Sequence, residues 1–472
     1  MELEVLRFAR VTYREKDRIL LRDFELSIKK GEILGMLPVN AYGLSAFLRV
    51  LKNNPPLYYG QVYYGGKLVN SWRDMHRNTN GITVISDVSS LVEGQSVLTN
   101  VFVLRAGFKQ YILNNRVLAK QMQIFLDDIG ESISPTARVE ELAVFERVVI
   151  EIIRAVVAGH RLIVLQEAGS FIGENQLDKL NRILQHYREK GISFLYISSH
   201  VEELKRICKR TALMSNGKIL SILDRDMMEE SLYGSEFSEK AVMRIRERPD
   251  RKQEEVLFEI RGLTKESVKD LNLTVFKGEY LVIQPLENRV FEDLRQMIFG
   301  GEEPSKGGFY LRGKKIGMEG TRSVALIKEE PEETMLFRQM SYLDNLLFNL
   351  DHRIPSVWWK GGVAKSVMQE LSGILGEEVF SKKVEALSQK EKIELVYARI
   401  YLQNPDIVFC CLPFKGADLS TGILIREMHE NMLKRGVSIV VLTMNVTDAM
   451  SLADRVVQID DNVSLPLQRK EP

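Results

Sequence analysis

Apolar residues along this chain fall into two kinds of run. Some alternate with polar residues, as in Phe24-Glu25-Leu26-Ser27-Ile28, which is the pattern of a strand with one buried face. Others are short and continuous: residues 162–165 (LIVL), 194–197 (FLYI), 407–410 (IVFC) and 439–442 (IVVL). Strands buried on both faces read this way, and in α/β domains these are parallel strands covered by helices. Residues 139–159 and 384–403 repeat apolar positions at helical spacing, and residues 31–51 and 278–298 each read as strand, loop, helix. These elements predict an α/β protein whose domains each combine a parallel-sheet core, an opening antiparallel β subdomain and a helical insert.

The pattern occurs twice. SVLTN at 96–100 and SYLDN at 341–345 are 245 residues apart, as are the runs starting at Leu162 and Ile407, and Arg210 and Arg455. Gly31-Glu32 and Gly278-Glu279 are 247 apart, so a two-residue indel lies between these landmarks. A constant offset across dissimilar segments marks a duplication, and a period this long means two domains rather than a solenoid. The first domain is expected at 1–232 and the second at 255–472. The charge-rich stretch 233–254, containing RIRERPDRKQE, reads as the linker.

Composition narrows the partners. Sixty-five Lys and Arg against 64 Asp and Glu leave a net charge of +1, which gives no global field toward nucleic acid or acidic lipid. Three cysteines in 472 residues make no disulfide framework and suggest a reducing, cytoplasmic compartment. The start, MELEVLRFARVTYREKDR, lacks an apolar signal core, and no run of about 18 apolar residues forms a membrane span. If a membrane matters, another chain crosses it.

The two strand–loop–helix segments have the layout of a phosphate-binding loop, G-x-x-x-x-G-K-[ST]. The lysine position holds Leu44 in the first copy and Phe291 in the second. The first loop keeps Asn40, Gly43 and Ser45 but has Pro38 and Ala41 in place of glycines; the second has no glycine from 279 to 299 and carries Glu287, Glu292 and Asp293. The first is therefore either a weakened triphosphate site or a plain connection, and the second is expected to bind no triphosphate. Farther on, the strand at 162–165 runs into Gln166-Glu167, where an Asp-Glu pair would organise a metal and an attacking water. Glu167 is a candidate base or an ordinary solvated carboxylate. The second copy reads Cys410-Cys411-Leu412-Pro413, with neither carboxylate. Adjacent residues on a strand face opposite ways, so the two cysteines are expected in packing rather than on one metal.

The order of these segments resembles a tandem ATP-binding cassette protein, and in particular the fused double ATPase subunits of ribose- and galactose-type sugar importers. GEILG before the first loop and Pro413-Phe414-Lys415-Gly416-Ala417-Asp418 late in the second half carry the likeness, which spans nearly the whole chain. The resemblance implies two cassettes that pair within the chain, ATP and Mg bound weakly or not at all, and an integral-membrane permease partner at the inner face of the cell membrane. It implies a nucleotide site drawn from Tyr13, Asn40, Gly43, Leu44, Ser45, Ala46 and Ser388, with Ser45 as metal ligand, Glu167 as base and His200 as switch residue. Tyr13 would stack on adenine. Ser388 is either a phosphate contact or a helix cap, and His200 either a switch or a capping histidine; Asn445 stands at the matching second position. Asp87 and Glu329 replace the Q-loop glutamine. The signatures read Leu142-Ala143-Val144-Phe145-Glu146 and Leu387-Ser388-Gln389-Lys390-Glu391. The helical inserts, and Trp358-Trp359, are candidate permease contacts. The resulting expectation is a degenerate, regulatory or scaffolding cassette pair. The alternatives are a low-turnover ATPase driving carbohydrate import, or a ribosome- or nucleic-acid-associated tandem cassette, which the mixed-charge linker disfavours.

Overall fold

The structure, a computed structural model, describes residues 4–467 apart from 17, 71–79, 87, 105–113, 173, 229–254, 349–361, 376, 447 and 461–462. The expected linker, Asp87 and Trp358-Trp359 lie outside the described residues. The chain divides into two compact units, Met1–Val242 and Met243–Pro472.

The first unit runs β1 (Glu4–Glu15), β2 (Arg18–Lys29), β3 (Ile33–Pro38), α1 (Leu44–Asn53), β4 (Tyr59–Tyr64), β5 (Lys67–Leu68) and β6 (Ile82–Ile85). It continues with α2 (Asn115–Ile129), α3 (Val144–Val157), β7 (Leu162–Gln166), α4 (Glu174–Glu189), β8 (Ser193–Ile197), α5 (Val201–Ile207), β9 (Arg210–Ser215) and β10 (Lys218–Asp224). An antiparallel sheet of order β2-β1-β4-β5 covers one side of a six-stranded sheet of order β10-β9-β3-β8-β7-β6, parallel except for β10.

Both faces of the large sheet are apolar because its strands alternate between two cores. Ile33, Leu37, Ile163, Leu165, Phe194 and Tyr196 pack with α3, α4 and α5. Leu34, Met36, Leu162, Val164, Leu195 and Ile197 pack with α1 and the antiparallel sheet. Helix α1 buries Ala46, Phe47, Val50 and Leu51, and Phe47 joins Phe8 and Phe24 with ring centroids 5.1–5.6 Å apart.

The second unit repeats the plan with β11 (Val256–Lys265), β12 (Val268–Phe276), β13 (Tyr280–Pro285), β14 (Lys306–Leu311), β15 (Lys314–Ile316), β16 (Val324–Ile327), β17 (Ile407–Cys411), β18 (Ser438–Leu442), β19 (Arg455–Asp460) and β20 (Val463–Leu467). Its sheets have the orders β12-β11-β14-β15 and β16-β17-β18-β13-β19-β20, the same neighbours as in the first unit. Even single bridges recur at the 245-residue offset, Ser96 with Arg138 and Ser341 with Lys383. Cys410 and Cys411 enter opposite cores, as the strand period requires, and burial pushes the Cys411 thiol up to about 12. His429 is wholly buried between the hydroxyls of Tyr280 (3.0 Å) and Tyr397 (3.2 Å), and burial pulls its pKa down to about 3, so it stays neutral.

Candidate functional site

Strand register decides which residues share an edge. Met36 and Gln166 both pair with Ile197, and Pro38 pairs with Met214. The loop after β3, Glu167 after β7 and His200 after β8 therefore emerge together at the C-terminal edge of the first parallel sheet. That edge is where open α/β sheets bind ligands.

The loop after β3 is tied down by its own unit. Val39 N donates to Met214 O (2.8 Å), and Gly217 N donates to Tyr42 O (3.1 Å). The Asn40 amide donates to Ser215 Oγ and Asn216 Oδ1, while its carbonyl accepts from the backbone of Tyr42 and Asn216. Gly43 begins α1 with φ +87°, pressed against Leu20 and Gly217. Leu44 is half-buried against the core, Ala46 is buried within it, and Ser45 is exposed. Leu44 places no cation at the lysine position, and Gln166 no carboxylate at the end of β7.

Glu167 stands in the left-handed region at φ 51°. Its carboxylate accepts from Ser199 N (3.0 Å) and Ser199 Oγ (3.1 Å). Burial pushes its pKa up to about 7; His200 pulls it down, Glu203 pushes it up, and the Ser199 contacts pull it down. His200 is buried, and its backbone N–H donates to Ser198 Oγ (3.1 Å) as α5 begins. Sequence reasoning missed Glu203. This buried carboxylate accepts from Ser198 Oγ (2.8 Å) and from the Tyr196 hydroxyl, and it lies where any side chain on Gly169 would go. The available signal was a Glu one helical turn before Ile207, on the apolar stripe of α5.

The second unit has a shorter connection at the matching place. Between β13 and the helix Asn288–Phe299 only Leu286 and Glu287 remain, where the first unit has residues 39–43. Residues 288–290 have joined the helix, and Phe291 packs against the core. Leu412 takes the place of Glu167 with the same backbone: φ 44° and an N–H donated to the next strand (Leu442 O, 2.9 Å), as Glu167 N donates to Ile197 O (2.8 Å). The kink thus belongs to the fold and does not depend on a catalytic carboxylate.

Residues 21–170 match the ABC transporter family. The putative ribose/galactose/methyl galactoside import ATP-binding protein of Geobacillus kaustophilus (strain HTA426) is 24% identical over 92% of this chain and 88% of its own length. The ribose import ATP-binding protein RbsA of Clostridium perfringens (strain SM101 / Type A) is 24% identical over 93% of this chain and 91% of its own. The chain has the architecture of two tandem ATP-binding-cassette-like domains. A crystal structure of the archaeal ribosome recycling factor aABCE1, with ribosomal stalk protein aP1, has the same fold across 95% of this chain and 87% of its own, with a TM-score of 0.60 at 15% identity.

Several expected site residues have other employment in the cassettes. Tyr13, the expected adenine platform, is only 6% exposed; its ring lies in the core and its hydroxyl donates to Glu15 (2.9 Å), so it presents no free face. Ser388 caps the helix Gln389–Gln403, accepting from Glu391 N while its own N–H reaches the Glu391 carboxylate (2.7 Å). Of its two readings, the cap is the contact present. Ser388→Ala should therefore destabilise the second cassette by about 1 kcal/mol in urea unfolding; no change would remove the capping role. In the first signature, Phe145 is buried in the core at a glycine position. Glu329, at the second Q-loop position, is held by Lys415 at 2.5 Å. Among the described residues no helix is long and apolar enough to cross a membrane.

Proposed function

We propose that this chain is the cassette component of a carbohydrate import system, acting at the cytoplasmic face on an integral-membrane permease, and that it scaffolds or regulates rather than drives transport. The relatives named above, matched over almost the full chain, support the import role. The conversion of the second phosphate loop into a helical turn carries the non-motor reading, because it removes the backbone donors and the lysine that hold a triphosphate. In the first cassette Leu44 and Gln166 withdraw the cation and the metal-organising carboxylate, so MgATP binding there is weak or absent. Loss of charge-assisted phosphate contacts removes several kcal/mol of transition-state stabilisation.

Purified protein should therefore hydrolyse ATP well below about 1 per second, and Glu167→Gln should not change the rate. Phosphate release measured at millimolar-scale MgATP checks this. A rate near that figure, abolished by Glu167→Gln, would instead establish the second reading, a low-turnover ATPase. One observation favours that alternative: Glu167, His200 and the first loop share one sheet edge. The import role is tested by co-purification with an integral-membrane permease, and a chain that remains partner-free counts against it.

A further inference from the structure

We propose that the first cassette carries a second site, for a small multiply phosphorylated anion, at the opposite edge of its parallel sheet. A cavity of about 430 Å³ lies where β2 ends, β3 and β9 begin, and α4 and α5 finish. That volume is within the roughly 300–1,000 Å³ of small-molecule sites. Six cations line it: Lys29, Lys30, Arg188, Lys209, Arg210 and Arg225. Glu32 is the one acidic side chain among its described lining residues, and it is paired with Arg210 at 2.7 Å. The floor includes the buried residues Ile33 and Ile207.

The second cassette separates what the fold needs from what it does not. It repeats the Glu–Arg pair as Glu279 and Arg455 (3.0 Å), and the serine that ties the glycine turn, Ser193 or Ser438, donates to the same strand-end carbonyl in both. At the positions of Lys29, Arg188 and Lys209 it has Phe276, Leu433 and Asp454. Cations near the C-terminal ends of α4 and α5 would also complement the helix dipoles. The matching helix of the second cassette, Leu419–Lys434, also ends in a cation, Lys434, and among the described residues no helix lies directly before Asp454, so the dipole accounts for part of this charge and not for its convergence on one cavity. Three extra cations gathered onto a Glu–Arg pair that both cassettes share suit a ligand of several negative charges. The three arginines supply the planar forks that hold phosphoryl oxygens in pairs. Arg225 is already oriented, its Nε donating to Cys208 O at 3.1 Å.

The test is calorimetric titration of the full chain with inorganic tripolyphosphate in EDTA, which keeps magnesium chemistry silent. The expected result is saturable one-to-one binding, weakened at least about tenfold in the double variant Arg188→Leu/Lys209→Asp and unchanged in Ser45→Ala. The double variant carries residues the second cassette already accommodates at these places, and an unchanged melting curve separates lost affinity from lost folding. Three outcomes overturn the site: no saturable binding, equal affinity in the double variant, or binding of a short oligothymidylate without tripolyphosphate. The hydrolysis measurement is independent, since it depends on the other sheet edge.

Discussion

Gly43→Ala is expected to unfold the first cassette more readily, by at least about 3 kcal/mol. The residue sits at φ +87°, where an L side chain costs about 1 kcal/mol before any collision. A Cβ there would lie 2.6 Å from Leu20 O and 2.7 Å from Gly217 Cα, both of them backbone atoms that cannot rotate away. Relief requires the loop to leave the β9–β10 turn. That movement breaks the Gly217 N to Tyr42 O bond and strains the four contacts of the Asn40 side chain. The measurement is the melting transition of the first cassette beside that of the second, which serves as internal reference. A loss below about 1 kcal/mol would mean that the loop is not anchored as described. The consequence for function is direct: the glycine and asparagine that survive in the first loop are held by the fold, so their presence does not argue for a bound nucleotide.

Glu167→Gln is expected to stabilise the first cassette at pH 8 by up to about 3 kcal/mol and to have little effect near pH 4.5. In the unfolded chain the carboxyl loses its proton near the ordinary 4.5; folded, it does so near 7. Between those values the folded state holds the extra proton. Stability therefore falls as pH rises through this window, and the penalty is complete above it. Glutamine keeps the shape and can still accept from Ser199 N while donating to Ser199 Oγ, so the variant removes the titration without opening a cavity. Unfolding of wild type and variant at pH 5 and pH 8 gives the difference, and parallel pH slopes for the two would sink the argument.

The duplicated α/β architecture was legible in the sequence because burial is written locally. Continuous apolar runs such as 162–165 and 407–410 became central strands, and the 245-residue offset reappeared as two sheets with the same strand neighbours. The missing phosphate-loop lysines were legible too, since a charge is present or absent in the residue itself. What the surviving residues do was not legible, because that depends on partners distant in sequence. Tyr13 looked available for stacking until its own strand, β1, turned it into the core. Ser388 was balanced between phosphate contact and cap until Glu391 closed the capping pair. Asn40 meets Ser215 and Asn216 only because β3 lies beside β9.

The sequence by itself determined a duplicated cassette-like α/β chain with Leu44 and Phe291 at the two phosphate-loop lysine positions, through periodicity, repeat and residue identity. Only the tertiary structure decided that the second loop had become helix, that Glu167 shares its pocket with Glu203, and that lysines and arginines from residues 29–30, 188, 209–210 and 225 converge on one cavity. The physical reason is the same in each case. Charge and hydropathy belong to single residues, but desolvation, hydrogen-bond partnership and the field inside a cavity belong to groups that the sheet order brings together.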